Sequence, residues 1–255
     1  MPAFDEPRFL TGLLWALALS GAAAAAALFV RPAPYGRHTR AGFGPRIPAR
    51  TAWIVMESPA VVVFAAAYAA GAHARALLPL SFAALWLLHY AHRSFVYPIV
   101  TYRPGQRPTP LLVVLLGFSF NVVNAYANAR FVSQYVVYDG ADLVRPTLYL
   151  GVFWFACGFS INRWADGVLR RLRAKGKGYQ IPRGGLFELV SCPNYLGEIV
   201  EWVGFALATR SPAAWVFAFF TACNLAPRAR AHHRWYRRTF PDYPPGRRAL
   251  VPYCW

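Results

Sequence analysis

Acidic side chains are scarce in this chain of 255 residues, which has 10 Asp and Glu against 27 Lys and Arg. Its four cysteines are widely spaced and form no CxxC pair, which indicates small apolar residues rather than a disulfide framework. Neither a GxGxxG after a predicted strand nor a GxxxxGK[ST] occurs, so Rossmann and P-loop sites are excluded. No internal repeat and no long linker interrupts the chain, which predicts a single domain over residues 1–255.

Histidine is also infrequent, with six in the whole chain. His89 and His92, together with His232 and His233, have some likeness to the histidine boxes of membrane di-iron oxygenases. The HxxxH and HxxHH spacings of those boxes are missing, however. We therefore expect no metal site.

Long apolar runs are the dominant feature that is present, since 57% of the residues are hydrophobic and 16% are aromatic. A run of about 20 such residues suffices to cross roughly 30 Å of hydrocarbon as a helix. The sequence predicts an all-α integral membrane bundle of seven transmembrane helices. The predicted spans are 9–30, 51–72, 75–97, 110–129, 146–165, 186–209 and 212–227.

The basic residues follow this span assignment. The segments 31–50, 93–109, 163–185 and 228–255 carry 22 of the 27 Lys and Arg, and all four lie on one side of the predicted membrane. Cytoplasmic loops are enriched in Lys and Arg, so we expect the N-terminus outside and the C-terminus in the cytosol. Part of this charge would meet anionic lipid headgroups.

The net charge of +17 would suggest nucleic acid in a soluble protein. No soluble basic platform with base-stacking aromatics is visible, so we expect no nucleic-acid partner. Arg outnumbers Lys by 25 to 2, which is typical of GC-rich bacterial genomes. We therefore predict a multi-pass protein of the bacterial inner membrane, or of the endoplasmic reticulum if the host is eukaryotic.

Two ionisable groups occur at equal depth inside neighbouring predicted spans. At 1.5 Å per residue, Glu57 lies roughly 9 Å inside the second span and Tyr90 at about the same depth in the third. An ionisable group inside a span is costly unless it is paired, which makes it a functional candidate. Alternatively, Glu57 pairs with an Arg or marks a kink beside Pro59, and Tyr90 is an interfacial tyrosine.

Polar stripes also occur at the cytosolic ends of the last three spans. Each stripe has the spacing of one helix face, at i, i+4 and i+7 or i+8. A single stripe could be a solvated helix face. Together the stripes predict a cavity open to the cytosol, with guanidinium groups, amides, carboxylates and rings that suit a phosphorylated dinucleotide. The stripes comprise Asn162 and Asp166; Asn194, Glu198 and Glu201; and Arg228, His232 and Tyr236.

Several stretches together resemble the steroid 5α-reductase family. The likeness runs from "RPAPYGRHT" at 31–39 to "FPDYPPGRRALVPY" at 240–253. Between them it is carried by "MESP", "HYAHRSFVYP", "INRWAD", "YQIPRGGLFELVSCPNYLGEIVEW" and "HHRWYRRTFPDYP". The resemblance implies a seven-helix, NADPH-dependent enzyme that reduces the Δ4 double bond of a 3-oxo steroid.

The resemblance also implies roles for individual residues. Glu57 and Tyr90 would hold the C3 carbonyl of the steroid, and protonated Glu57 and Tyr90 would both donate hydrogen bonds to it. Met56 and Gln180 depart from the family pattern, and either Arg103 or Arg107 would contact a phosphate. The residues implied for NADPH are Arg93, Tyr97, Asn162, Asp166, Arg173, Tyr179, Asn194, Glu198, Arg228, His232 and Tyr236.

Two other functions stay open at this stage. A membrane reductase of an enoyl-CoA or polyprenol-type lipid would share the cofactor half of the site. A small-solute transporter would need inverted repeats and broken helices, and neither is apparent in the sequence.

The predicted topology can be tested by labelling. In a background without the four native cysteines, Gly140→Cys should react with an impermeant thiol reagent from outside, and Gly176→Cys from the cytosol. This follows because the first position precedes the fifth predicted span and the second follows it. Equal reactivity from one side would contradict the seven-span topology.

Overall fold

The computed structural model describes residues 4–34, 36–38, 40–174, 176 and 178–255. Tyr35 and Thr39 of the YGRHT motif lie outside the described residues. Over the described part, the chain forms nine α-helices. They are α1 Glu6–Val30, α2 Ala49–Glu57, α3 Pro59–Ala69, α4 Leu77–Ala91, α5 Tyr97–Val100, α6 Leu111–Arg130, α7 Pro146–Ala174, α8 Pro193–Thr209 and α9 Pro212–Thr239.

In the described ranges, these nine helices form seven rods, that is, continuous helical segments, because two pairs of helices follow each other directly. Helices α2 and α3 adjoin at Ser58, where Pro59 lacks the N–H that would continue the hydrogen-bond ladder. Helix α4 passes through a π-helical turn, His92–Val96, directly into α5. The sequence predicted one helix over 75–97, and the structure instead interrupts it by the π turn. Such turns are frequent at functional sites.

Three of the described helices are long and apolar enough to cross a membrane, namely Glu6–Val30, Ala49–Ala69 and Leu111–Tyr135. The chain is therefore mostly helical and contains helices that could span a membrane, as predicted. The helix bounds differ from those of several predicted spans. Helices α7 and α9 run well past 165 and 227, and α8 begins at Pro193 instead of 186 because a proline favours the first helical turn.

A two-stranded antiparallel sheet adds to the predicted all-α fold. Strand β1, Arg46–Ile47, pairs with β2, Thr109–Pro110. The pairing joins the segment before α2 to the segment before α6, so two loops on the same side of the bundle are held together.

The centre of the bundle is an aromatic core. Trp86 of α4 packs against Phe64, Trp202 and Phe217, with ring centroids 4.8, 5.3 and 5.5 Å apart. The indole N–H of Trp86 donates to the Ala60 carbonyl at 2.8 Å, so its polar atom is satisfied in the interior. These contacts fix α4 between α3, α8 and α9.

Helices α7 and α8 meet along glycines spaced seven residues apart on each helix. A Cβ added to Gly158 would lie 2.3 Å from the Glu201 backbone nitrogen, and one added to Gly151 would lie 2.6 Å from the Gly204 carbonyl oxygen. A Cβ on Gly197 would likewise meet the Gly158 carbonyl at 2.7 Å. The backbones are thus in direct contact, which sets the register of the polar residues at the end of this seam.

A polar cluster joins the start of α1 to the end of α6. The Arg130 guanidinium donates to both Glu6 carboxylate oxygens, at 2.6 and 2.8 Å, and the hydroxyls of Tyr126 and Tyr135 also donate to Glu6. An ion pair with this many donors holds the first helix against the bundle.

The close approach of α7 and α8 predicts that Gly158→Ala destabilises the protein by about 1–3 kcal/mol, because the added methyl group overlaps the α8 backbone. Gly12→Ala in α1 is the matched control, since a Cβ there meets nothing within 4 Å. Thermal unfolding of both variants in detergent measures the difference. An unchanged melting temperature for Gly158→Ala would contradict the glycine seam.

Candidate active site

Arg93 lies in the π turn between two carboxylates. Its Nε is 4.0 Å from Glu57 Oε1 and its Nη2 is 3.8 Å from Glu198 Oε2. The guanidinium also lies over the rings of Trp53 and Tyr97, 4.9 and 5.3 Å from their centroids. A single cation therefore links α2 to α8 and compensates two largely buried acids.

Glu57 sits at the joint between α2 and α3. Asn121 of α6 donates to the Met56 carbonyl at 2.8 Å and reaches Glu57 Oε2 at 3.4 Å, and Ser94 donates to the Glu57 backbone carbonyl at 2.9 Å. Because the Arg93 contact is at the long limit of an ion pair, the carboxyl group retains hydrogen-bonding capacity for another molecule. The pairing with an Arg that was considered from the sequence is present, but it is loose.

Tyr90 is buried in the core, not exposed at the lipid boundary, with 4% of its surface accessible. Its ring lies 4.8 Å from Trp86 and 5.6 Å from Trp202. Among the described residues, no group forms a hydrogen bond with its hydroxyl. The phenol is therefore an available hydrogen-bond donor in the interior of the bundle, three residues before Arg93 on the same continuous helix.

The α7 and α8 stripes join into one hydrogen-bonded network. Asn162 Nδ2 donates to the Asn194 carbonyl at 2.9 Å and to Glu198 Oε2 at 3.3 Å, and Asn194 Nδ2 donates to Asp166 Oδ1 at 3.0 Å. Arg163 Nη2 donates to Asn162 Oδ1 at 2.5 Å and contacts His92 through Nη1. Four predicted site residues thus lie side by side, next to Arg93.

The α9 stripe is connected to α8 through Tyr195. Arg228 Nη2 donates to the Tyr195 hydroxyl at 3.3 Å, and His232 Nε2 lies 3.1 Å from the same oxygen. Arg228 Nη1 also donates to Asn224 Oδ1 at 3.2 Å. Tyr195 was given no role from the sequence, although it directly follows Asn194 in the PNYLGE motif.

The remaining predicted cofactor residues lie towards the ends of α7 and α9. Tyr179 packs edge-on against Trp235, and buried Tyr236 stacks on Tyr243 with centroids 5.3 Å apart. Arg173 is exposed at the end of α7. Its backbone carbonyl accepts a hydrogen bond of 2.5 Å from Arg103, whereas Arg107 is exposed, so the choice between these two as phosphate ligands stays open.

The C-terminal tail contacts the segment that leads into α8. Arg247 is 1% exposed and donates to the Pro182 carbonyl at 2.9 Å and to Glu188 at 3.2 Å. Arg248 forms a parallel bridge with Val190. These contacts hold the start of α8, which carries Asn194 and Glu198. No periodic pattern in the sequence indicated them.

Ser191 completes this contact. Its hydroxyl lies 2.7 Å from His233 Nδ1 and 2.6 Å from the Tyr243 hydroxyl. Burial lowers the pKa of His233 and raises the pKa of Tyr243, so both groups are neutral at neutral pH. The tail is therefore fixed by neutral hydrogen bonds as well as by Arg247.

A buried pair lies directly behind Tyr90. His89 Nδ1 is 2.7 Å from Glu201 Oε1, and the two side chains are 3% and 0% exposed. The His89 ring is edge-on to Tyr90, with centroids 4.9 Å apart. The pair joins α4 to α8 at the level of the phenol and so restrains its position. From the sequence, Glu201 was predicted to belong to the α8 stripe and His89 was considered only in the histidine-box comparison, so the pairing of the two was not predicted.

A metal site would need several ligating side chains close together. Among the described ranges, no group of three or more His, Cys, Asp or Glu side chains is arranged to hold a metal ion.

Known proteins resemble this chain over most of its length. Residues 107–255 match the family described as 3-oxo-5-alpha-steroid 4-dehydrogenase. The chain is 44% identical over 225 residues to 3-oxo-5-alpha-steroid 4-dehydrogenase 1 of Bos taurus, covering 86% of this chain and 87% of the relative. It is 40% identical over 248 residues to the Homo sapiens protein of the same name, covering 94% and 95%.

A plant protein matches over a still longer range. Steroid 5-alpha-reductase DET2 of Arabidopsis thaliana is 38% identical over 262 aligned positions, covering 100% of both chains. Identity of this extent, spanning the residues of the site described above, shows that the chain belongs to the steroid 5α-reductase family.

Proposed function

We propose that this protein reduces the Δ4 double bond of 3-oxo-Δ4 steroids to 5α-reduced steroids, with NADPH as the reductant. The names of the relatives support the substrate class and the reaction. The observation that carries the proposal is the buried phenol of Tyr90, which has no hydrogen bond among the described residues, together with the loosely paired carboxyl group of Glu57.

The chemistry of the enone explains why two donors are useful there. Addition of hydride to the β-carbon develops negative charge on the carbonyl oxygen, so preorganised donors stabilise the transition state more than the substrate. Tyr90 donates a hydrogen bond from its phenolic hydroxyl to this oxygen. Glu57, in its protonated form, donates a second hydrogen bond, and the aromatic core around Tyr90 excludes water.

The polar cluster suits a phosphorylated dinucleotide in its donor set. Guanidinium groups match phosphates, amides and carboxylates match ribose hydroxyls and the carboxamide, and aromatic rings match the adenine. When bound, NADPH supplies the hydride. The chain would hold it with Arg93, Tyr97, Asn162, Asp166, Arg173, Tyr179, Asn194, Glu198, Arg228, His232 and Tyr236, and we add Tyr195 because it bonds to Arg228 and His232.

Protonation of the product needs no further side chain. Tyr90 and Glu57 stabilise the enolate until a proton reaches the α-carbon from water. Arg93 compensates the charge of Glu198 while Glu57 is protonated.

The membrane placement is part of the proposal. Residues 1–255 would act as one reductase domain of seven spans, with the N-terminus outside and the cofactor site open to the cytosol. Seven helical rods and the one-sided distribution of basic residues support this arrangement. The reported relatives are animal and plant proteins, so they give no support to a bacterial host, and the bacterial inner membrane stays a prediction.

Removing either carbonyl donor should slow the chemical step. Tyr90→Phe and Glu57→Leu are each expected to reduce turnover about a hundredfold, because each loses one donor to the developing oxyanion. If both donors bind the same oxygen, the transition-state stabilisation lost in the double variant should be smaller than the sum of the losses in the two single variants. Single-turnover oxidation of bound NADPH with a Δ4-3-oxo steroid measures this step.

Tyr253→Phe is the control for these variants, since Tyr253 is 78% exposed and lies far along the chain from the site. It should keep normal turnover. Near-normal chemistry in Tyr90→Phe or Glu57→Leu, with NADPH still bound, would show that the carbonyl donor lies elsewhere.

Substitution of a residue proposed to bind NADPH should change the NADPH requirement more than the steroid requirement. Arg173→Ala is expected to raise the NADPH concentration needed for half-maximal rate about tenfold or more, with little change for the steroid, because a charge-assisted phosphate contact is lost. Arg171→Ala removes an equal charge two residues away, on the other side of α7, and should change neither. A change confined to steroid affinity would contradict the division of the site.

A further inference from the structure

Two adjoining cavities flank the last turn of α1. The first, of about 360 Å³, lies between this turn and α9, and the second, of about 450 Å³, lies on the neighbouring side. They share Leu28, Val30 and Pro32 as a common wall. The end of α1 is therefore bordered by open space on two sides.

The first cavity is lined by a row of arginines on α9. Arg230, Arg234 and Arg238 recur at i, i+4 and i+8, so they follow one helix face over roughly 12 Å. At 100° per residue this face is about 200° from the one that carries Arg228 and His232. The row thus points away from the candidate active site.

The cavities are strongly basic. Arg31 and Arg40 line the second one. The described residues that line the two cavities thus include five arginines and no Asp or Glu. Positive charge without carboxylate neighbours favours an anionic ligand. Guanidinium groups in particular match phosphate geometry.

The opposite wall is apolar and lies at a membrane boundary. Phe29 and Val30, at the end of a helix long and apolar enough to span a bilayer, are 42% and 80% exposed. The Arg230 guanidinium lies 5.6 Å over the Phe29 ring, so charge and apolar surface adjoin. A ligand that fits must carry an anionic group at one end and an apolar chain at the other.

We propose that the crevice between the end of α1 and α9 binds an anionic phospholipid, with the phosphate on Arg230, Arg234 and Arg238 and the upper acyl chain against Phe29 and Val30. Its arginine row lies on a different face of α9 from Arg228 and His232, although His38 of the cavity lining stacks on His232. It rests on α1 as a membrane-spanning helix and does not depend on the proposed activity.

The test is native mass spectrometry of the full chain, delipidated in neutral detergent and titrated with dioctanoyl phosphatidylglycerol. Selective binding over dioctanoyl phosphatidylcholine is expected. Because each arginine near the headgroup contributes roughly a fivefold factor, the triple variant Arg230→Gln/Arg234→Gln/Arg238→Gln should bind on the order of 100-fold more weakly. Soluble glycerol 3-phosphate should bind far more weakly than the lipid, since it lacks the acyl chain.

The matched control removes three exposed arginines elsewhere, in Arg46→Gln/Arg171→Gln/Arg237→Gln, and should keep normal lipid binding. Equal weakening in both triple variants, equal binding of phosphatidylcholine, or binding of glycerol 3-phosphate as tight as the lipid would overturn the proposal. Thermal unfolding in detergent reports whether each variant is folded. If the triple variant unfolds, Arg234→Gln alone should still weaken binding about fivefold, and no change would count against the site.

Discussion

The position of Arg93 between Glu57 and Glu198 is the interaction on which the rest of the site depends. All three side chains are largely withdrawn from water, and an unpaired charge in such a place would cost several kcal/mol. One guanidinium compensates two carboxylates that belong to different helices, and the π turn directs it there instead of along the regular face of α4. The same cation therefore joins the residues proposed to bind the carbonyl oxygen to those proposed to bind the cofactor.

Rigid surroundings keep that arrangement in register. On one side, α7 and α8 touch through glycines, so Asn162 and Asn194 meet without intervening side chains. On the other side, the aromatic core and the buried His89–Glu201 pair restrain α4 and with it Tyr90. The candidate site thus lies at the border of a dry aromatic region and a polar one, which is where a donor to a developing oxyanion is most effective.

Periodicity in the sequence was sufficient to predict the stripes, because residues four apart on a helix share a face wherever that helix packs. Asn162 with Asp166 and Asn194 with Glu198 do meet across α7 and α8. Contacts between residues far apart in sequence carry no such signal, and the His89–Glu201 pair and the burial of Arg247 could not be predicted for that reason. The π turn could not be predicted either, because the spacing of apolar residues around it is that of a continuous helix. Pro193, in contrast, could have indicated the true start of α8.

The central claim is that hydride is delivered to the β-carbon of an enone whose oxygen is held by Tyr90 and Glu57. The most direct measurement uses NADPH deuterated at C4 of the nicotinamide, on the face that is transferred, with a Δ4-3-oxo steroid in ordinary water. The account predicts a 5α-reduced product with deuterium at C5 and solvent hydrogen at C4. Deuterium at C4, or a product without deuterium, would contradict it.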